Sequence, residues 1–151
     1  MLSYLGNKNR AQVLGKLAIK ELMFHVLNGA QGDVLKAFVY QDRQNCQIAK
    51  VIALIQHQYS ENLEVATLAA KANMSQSPFY TYFKAVTSSS PIQYIKAIRL
   101  HAARRNMMID NLSASDAAYN VGYSSPSQFS REYRRFFGVS PSVDIQTTAT
   151  R

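Results

Sequence analysis

Apolar residues recur along this chain mostly every three or four positions, the spacing that places them on one face of an α-helix. Residues 12–27 follow this spacing and predict a helix that ends at an Asn-Gly pair. Residues 31–33 predict a turn, and a polar run at 41–45 predicts a boundary between an N-terminal segment and the rest of the chain. Beyond it, Ile48 and Ile55 mark one face of a further helix.

A helix pair is predicted next. It begins with a compact, alanine-rich helix at 65–72. Asn73 tolerates the left-handed backbone conformation that a tight turn needs. Ser75 can then cap a second helix, whose buried stripe is Phe79 and Phe83, four positions apart.

A long linker helix is predicted from Pro91 to about Met108. The apolar residues of its inner face are Tyr94, Ile95, Ile98, Ala102 and Met108. Such a helix would be about 27 Å long. That length is close to the ~34 Å that separates successive major grooves on one side of B-DNA.

A second helix pair repeats the first about fifty positions later. Phe79, Phe83, Lys84 and Pro91 return as Phe129, Tyr133, Arg134 and Pro141. Gly122 provides the turn, and Ser125 can cap a helix that begins with Pro126. The predicted buried stripe of this helix is Phe129, Tyr133 and Phe136, and residues 144–151 are predicted to be a flexible tail. These elements predict an all-α fold with two helix-turn-helix subdomains, joined by a long linker helix and preceded by an N-terminal helical segment.

The second helix of each pair has a polar outer face. With the aromatic stripes turned inward, the outward residues of the first pair are Ser77, Thr81 and Lys84, with Tyr80 at the margin. Those of the second pair are Ser127, Arg131 and Arg134, with Gln128 and Arg135 at the flanks. Arginine and glutamine can form paired hydrogen bonds with base edges, while serine, threonine and lysine contact bases or phosphates. The repeated polar face therefore points to duplex DNA.

Charge supports an anionic partner. The formal net charge is +8 and the isoelectric point is about 9.7. Charge alone leaves nucleic acid and a membrane surface both open. The cations are concentrated locally, because Arg131, Arg134 and Arg135 share one short predicted helix.

Enzymatic and metal chemistry find little support in the sequence. His25, His57 and His101 are scattered singly, Cys46 is the single cysteine, and no glycine loop of the phosphate-binding type is present. We therefore expect no catalytic residues, no metal and no cofactor. No apolar run reaches the ~20 residues of a membrane span, so we expect a cytoplasmic protein without membrane contact.

A second interpretation of the helix pairs remains open. They could form a protein-interaction module whose arginine-rich face docks an acidic partner such as RNA polymerase. That module would bind DNA weakly and without sequence preference, whereas a DNA-binding regulator would prefer particular duplexes and depend steeply on salt.

The segment from about Ile48 to Pro141 resembles the C-terminal DNA-binding domain of the AraC/XylS family of transcription regulators. One stretch that carries the resemblance is LEVATLAAKANMSQSPFYTYFKAVTSSSPIQYIKAIRLHAARRNM, at 63–107. The more specific stretch is DAAYNVGYSSPSQFSREYRRFFGVSP, at 116–141. In that family two recognition helices enter adjacent major grooves.

The resemblance implies roles for particular residues. The implied base-contacting candidates are Gln76, Ser77, Tyr80, Thr81, Lys84, Ser127, Gln128, Arg131 and Arg135. Arg99, in the linker helix, is expected to have a structural or phosphate-binding role. Asn73 and Ser88 stand where the family often has glycine, and a serine at 88 predicts a stiffer junction before the linker helix. Ala117 and Ala118 replace a larger apolar pair.

The resemblance also implies a domain division. Residues 17–32 look like the last helix of a ligand-sensing half, so residues 1–44 are predicted to be the helical remnant of a regulatory domain. Residues 45–143 would form the double helix-turn-helix domain. The small-molecule effector pocket is expected to be absent from this chain, and RNA polymerase is expected as a partner besides double-stranded DNA.

Overall fold

The computed structural model describes residues 32–149, and within this range every regular element is a helix. The helices are α1 (Gly32–Gln58), α2 (Val65–Lys71), α3 (Gln76–Thr87), α4 (Pro91–Ile109), α5 (Ala114–Asn120), α6 (Pro126–Phe137) and α7 (Pro141–Ala149). The prediction of an all-α fold with two helix pairs joined by a long helix is confirmed. The helix predicted at 12–27 lies outside the described residues.

Helix α1 differs from the sequence-based prediction at two places. It includes residues 32 and 33 of the predicted turn at 31–33, and it continues through the polar run at 41–45. Glutamine and arginine are good helix formers, and a polar run on an exposed helical surface contains nothing that breaks a helix. By internal contacts the chain separates into Met1–Arg43 and Gln44–Arg151. The division therefore falls within a continuous helix.

Two separate cores organise the residues from 44 onward. The first core joins α1, α2, α3 and the start of α4, and its buried residues are Ile48, Val51, Ile55, Leu68, Ala69, Ala72, Phe79, Phe83 and Ile95. The second joins the rest of α4 to α5 and α6, and its buried residues are Leu100, Ala102, Ala103, Met107, Ala117, Ala118, Val121, Tyr123, Phe129 and Tyr133. Burial of each phenylalanine contributes roughly 1.5–3 kcal/mol. Each helix pair therefore has its own apolar support.

Helix α4 contributes to both cores, which changes its buried face. Ile95 and Ala102 are buried as predicted, but Leu100 and Met107 are also buried, while Met108 is only partly covered. A helix that packs against one layer has one apolar stripe. Because α4 packs against the first pair near its start and the second pair near its end, its buried positions shift around the helix.

The buried stripe of α6 ends at Phe137, so the prediction of a buried Phe136 was wrong. Phe136 is 48% exposed. The ring centroids of Phe137 and Tyr133 instead lie 4.5 Å apart. The guanidinium carbon of Arg104 lies 4.9 Å from the Phe137 centroid. Positions three and four after Tyr133 are both compatible with one helical face. The contacts with Tyr133 and with Arg104 of α4 select the second of them.

Most of the predicted tail is helical. Residues 144–149 of the predicted tail belong to helix α7. Asp144 is buried, accepts a hydrogen bond from the Tyr133 hydroxyl at 2.6 Å, and forms an ion pair with Arg104 at 2.8 Å. Burial and the Asp144 hydrogen bond raise the pKa of Tyr133, so its hydroxyl stays a donor at neutral pH. This network attaches α7 to α4 and α6.

Ser88 ends α3 in the left-handed conformation, with φ 60° and ψ 11°. A side chain in that conformation is strained relative to glycine. We expect Ser88→Gly to raise the free energy of unfolding by about 0.5–1 kcal/mol, measured by urea denaturation. Ser89→Gly is the control, since residue 89 is not left-handed and gains no relief. Equal effects of the two substitutions would contradict the strain at Ser88.

Candidate nucleic-acid interface

The two helix pairs have the same turn. In the first, the amide of Met74 donates to the carbonyl of Ala69 at 3.0 Å, and Asn73 has φ 55°. In the second, the amide of Tyr123 donates to the carbonyl of Ala118 at 3.0 Å, and Gly122 has φ 89°. A left-handed residue one position before the donor is the usual way to reverse a chain after a helix. The repeat in the sequence is therefore a repeat of backbone geometry.

Helix α3 presents a polar face opposite its buried aromatic residues. Phe79 and Phe83 are fully buried in the first core. The predicted site residues Gln76, Ser77, Thr81 and Lys84 are exposed, and Tyr80 is partly exposed. The Thr81 hydroxyl donates to the Ser77 carbonyl at 3.2 Å. Its hydroxyl proton is thus engaged by the helix, and its oxygen stays available as an acceptor.

Helix α6 presents a similar face with more positive charge. Its N-cap is Ser125, whose hydroxyl accepts from the amide of Gln128 at 3.3 Å. Phe129 and Tyr133 are fully buried. The predicted site residues of this helix are all exposed, namely Ser127, Gln128, Arg131, Arg134 and Arg135. Within residues 32–149 none of these three arginines forms an ion pair, so their charge is available to an anionic partner.

A groove between α4 and α6 brings three of the predicted residues together. Gln128, Arg131 and Arg135 line it, together with Glu132 and with Lys96 from the linker helix. Its volume is about 480 Å³. Ser127 and Arg134 are exposed on the same helix but outside this groove. The sequence-based set therefore divides into a groove cluster and flanking positions.

Glu132 is a residue of this surface that the sequence analysis missed. Its carboxylate accepts hydrogen bonds from Lys96 at 2.8 Å, Tyr123 at 3.0 Å and Gln128 at 3.2 Å. Burial raises the pKa of Glu132, but these three hydrogen bonds and the charge of Lys96 outweigh burial, so the pKa lies below its usual value. The four-residue spacing from Gln128 to Glu132 could have indicated one of these contacts.

Tyr123 shares this network and stays protonated. Burial raises the pKa of Tyr123, and the hydrogen bond to Glu132 raises it further. Its hydroxyl therefore remains a donor to the carboxylate at neutral pH.

Arg99 has a structural position, one of the two roles expected for it. Its guanidinium donates to three backbone carbonyls, those of Tyr59 at 2.6 Å, Glu61 at 2.7 Å and Gly122 at 3.2 Å. Burial lowers the pKa of Arg99, and the nearby Tyr123 and Glu132 oppose that effect. Arg99 thus joins the loop after α1 to the turn of the second helix pair.

Residues 32–149 contain no cluster of three or more histidine, cysteine or acidic side chains that could hold a metal ion. In the same range no helix combines the length and apolar character that crossing a bilayer requires. The predicted site residues all lie on the exposed faces of α3 and α6.

Comparison with known proteins places this fold among DNA-binding domains. Residues 68–146 match the family model described as "Helix-turn-helix domain". The DNA-binding domain of the global transcriptional factor AdpA, solved in complex with a target DNA, is similar with a TM-score of 0.67 and 31% identity. The similarity covers 69% of this chain and 94% of that domain. A probable AraC family regulator from Rhodopseudomonas palustris shares the fold, with a TM-score of 0.61 and 24% identity over 68% of this chain and 96% of that one.

Among sequence relatives, the raffinose operon transcriptional regulatory protein RafR of Pediococcus pentosaceus is 31% identical over 96 residues. That match covers 64% of this chain and 35% of the relative. The chain thus spans about a third of the length of that protein.

Proposed function

Since the chain belongs to the AraC/XylS family of helix-turn-helix DNA-binding proteins, we propose that it is a sequence-specific transcription regulator that inserts α3 and α6 into adjacent major grooves. The observation that carries the proposal is the pair of exposed polar faces, each held outward by its own aromatic core. The likeness to a domain solved with its target DNA supports the same partner.

The geometry of α4 fits two insertions on one side of a duplex. Its 19 residues give a length of about 28 Å. Successive major grooves on one face of B-DNA are about 34 Å apart. The length of the linker helix is therefore compatible with two recognition helices that lie one turn of DNA apart.

The two recognition helices are proposed to contribute differently. Helix α3 offers Gln76, Ser77, Tyr80, Thr81 and Lys84, a mainly neutral set suited to single hydrogen bonds. Helix α6 offers Ser127, Gln128, Arg131, Arg134 and Arg135, a cationic set suited to guanine edges and phosphates. We expect most of the electrostatic affinity to come from α6.

The other proposed properties follow from this role. A transcription regulator acts in the compartment of its DNA, so we place the protein in the bacterial cytoplasm, without catalytic activity and without a cofactor. RNA polymerase is proposed as a second partner. The alternative of a protein-interaction module without DNA specificity is disfavoured, because the family match extends over both helix pairs and a similar domain was solved in complex with its target DNA.

Selection of bound duplexes from a random DNA pool tests the proposal. We expect two enriched sequence blocks with centres about 10 base pairs apart, and affinity that falls steeply between low and moderate salt. A single block would mean that only one helix enters a groove. Binding without any sequence preference would contradict the proposal and favour the interaction module.

Arg131→Ala tests the assignment of α6. We expect affinity for the selected duplex to fall about 5- to 150-fold, with lost preference at one base position, because a paired arginine–base contact contributes roughly 1–3 kcal/mol. Fluorescence anisotropy with labelled duplexes measures this loss, and thermal unfolding should not change, since the side chain is exposed. Arg43→Ala, an exposed arginine on α1, is the matched control for loss of one positive charge.

A further inference from the structure

Glu132 is an acidic residue, yet it lies on a helix that is proposed to enter the major groove of anionic DNA. Its contacts explain this placement. Its side chain is only 14% exposed, and its two oxygens accept from three donors on three different elements. Lys96 approaches from α4, Tyr123 from the turn before α6, and Gln128 from the preceding turn of α6 itself. The carboxylate is thus held in one orientation.

We propose that Glu132 is a positioning residue for DNA specificity, which fixes the Gln128 side chain so that its amide oxygen faces the DNA. This inference rests on the proposed function, with α6 in a major groove and Gln128 among its base contacts. Glu132 itself need not touch DNA.

The orientation of Gln128 follows from donor and acceptor chemistry. An ionised carboxylate only accepts hydrogen bonds, and the amide of glutamine donates through Nε2 and accepts through Oε1. Nε2 of Gln128 therefore turns toward Glu132, where it lies 3.2 Å from Oε1 of the carboxylate. The Oε1 atom of Gln128 therefore faces outward, where it can accept a hydrogen bond from a partner.

An outward amide oxygen discriminates between bases. In the major groove adenine and cytosine present amino donors, whereas guanine presents two acceptors and thymine an acceptor and a methyl group. With Oε1 outward, Gln128 favours adenine or cytosine at its position and disfavours guanine. A glutamine without this restraint could rotate its amide and donate to guanine instead, so the preference depends on Glu132.

The neighbours of Glu132 explain why the restraint persists. Lys96 can only donate, and its ammonium binds the same carboxylate oxygen as Gln128. Tyr123 occupies the other oxygen. A swing of the carboxylate toward the DNA would break an ion pair and a hydrogen bond together.

Two substitutions of Glu132 separate positioning from charge. Glu132→Met removes the charge and every acceptor at similar length. Glu132→Gln removes the charge but retains an amide oxygen, which Lys96 holds on the side of Gln128 because lysine offers only donors. A merely electrostatic role would give both variants the same behaviour, whereas a positioning role predicts loss with methionine and rescue with glutamine.

The experiment compares the wild type, both variants and Gln128→Ala by selection from a random duplex pool. Anisotropy then follows on four duplexes, the selected site and its three single-base variants at the position that Gln128 contacts. Gln128→Ala identifies the base position that Gln128 contacts. At that position we expect Glu132→Met to reduce the preference for adenine or cytosine over guanine about five- to tenfold, with preferences elsewhere unchanged. Glu132→Gln should retain most of the preference. Thermal unfolding monitors folding, and Glu132→Ala replaces the methionine variant if that variant does not fold.

Three results would overturn the inference. Glu132→Met could keep the wild-type preference, Glu132→Gln could lose as much as Glu132→Met, or Gln128→Ala could leave every base preference intact. In each of these cases sequence-specific binding by the wild type would leave the proposed function standing. A wild-type protein without any base preference would instead overturn the proposed function, and the inference with it.

Discussion

Replacing Gly122 with alanine is expected to lower the free energy of unfolding by more than about 3 kcal/mol, because backbone strain and a steric overlap add at this position. Gly122 has φ 89°, a conformation that alanine adopts at a cost. An added Cβ would overlap the carbonyl oxygen of Ser60 and lie 2.9 Å from its carbonyl carbon. The overlapping atoms are backbone, so no side-chain rotation relieves them.

Gly138→Ala is the matched control for this substitution. Gly138 also has positive φ, at 82°, but an added Cβ would meet nothing within 4 Å. We therefore expect a loss of only about 1–2 kcal/mol, which is the cost of the left-handed conformation alone. Urea denaturation of the two variants measures the difference. Similar losses would show that the approach of Ser60 to the second helix turn does not limit the fold.

The helices and turns of the two pairs were predictable because their signals are local. Phe79 and Phe83 carry the helical spacing of a buried stripe, and both are fully buried. Asn73 was predicted to tolerate a left-handed turn and has φ 55°. Ser125 was predicted to cap α6, and its hydroxyl accepts from the amide of Gln128. Each of these features depends on residues within a few positions of one another.

The features that the sequence analysis missed depend on residues far apart in the chain. Phe136 and Phe137 fit the same helical spacing, and the contact with Arg104, more than thirty positions earlier, distinguishes them. Residues 144–149, the larger part of α7, were predicted to belong to a flexible tail, and the apolar pattern of this helix is weak. Its attachment through Asp144 requires Tyr133 and Arg104, which sequence spacing cannot bring together.

In the candidate interface too, the features with local signals could be predicted and a contact between distant residues could not. The exposed faces of α3 and α6 follow from their buried stripes, so the positions of the proposed base-contacting residues could be predicted. Glu132 was missed because its partner Lys96 lies 36 positions away, so the local sequence pattern does not indicate their contact. The role of the face depends on that tertiary contact, which orients one of its side chains.

Arg99→Met is expected to destabilise the protein by about 2–4 kcal/mol, since hydrogen bonds from a charged donor contribute roughly 1.5–3 kcal/mol each and this site is only half-buried. The substitution keeps much of the aliphatic side chain and removes the donors to Tyr59, Glu61 and Gly122. Two of these carbonyls follow α1, whose buried face belongs to the first core, and the third lies in the turn before α6. Arg99 therefore connects the loop after α1, a helix of the first core, to the second helix pair.

Loss of these three hydrogen bonds should also change DNA binding in a characteristic way. If Arg99 holds the two recognition helices at a fixed spacing, Arg99→Met should bind a duplex with both sequence blocks more weakly than the wild type does. Its affinity for a duplex with only the α6 block should stay nearly the same. Rigid linkage lets the second helix bind at a high effective concentration, and a loosened linkage lowers that concentration. Anisotropy at a temperature where the variant stays folded compares the two duplexes.

Arg99→Lys distinguishes the geometry of the guanidinium from its charge. Lysine keeps the positive charge, but it is a point donor that cannot span three carbonyls as the planar guanidinium does. We expect Arg99→Lys to resemble Arg99→Met in its loss of affinity for the two-block duplex and to retain part of the stability. Full affinity in Arg99→Lys would mean that charge near the DNA, rather than the linkage between the helix pairs, is what Arg99 contributes. Equal losses on one-block and two-block duplexes would likewise argue against a spacing role, because a spacing defect affects only the duplex that engages both helices.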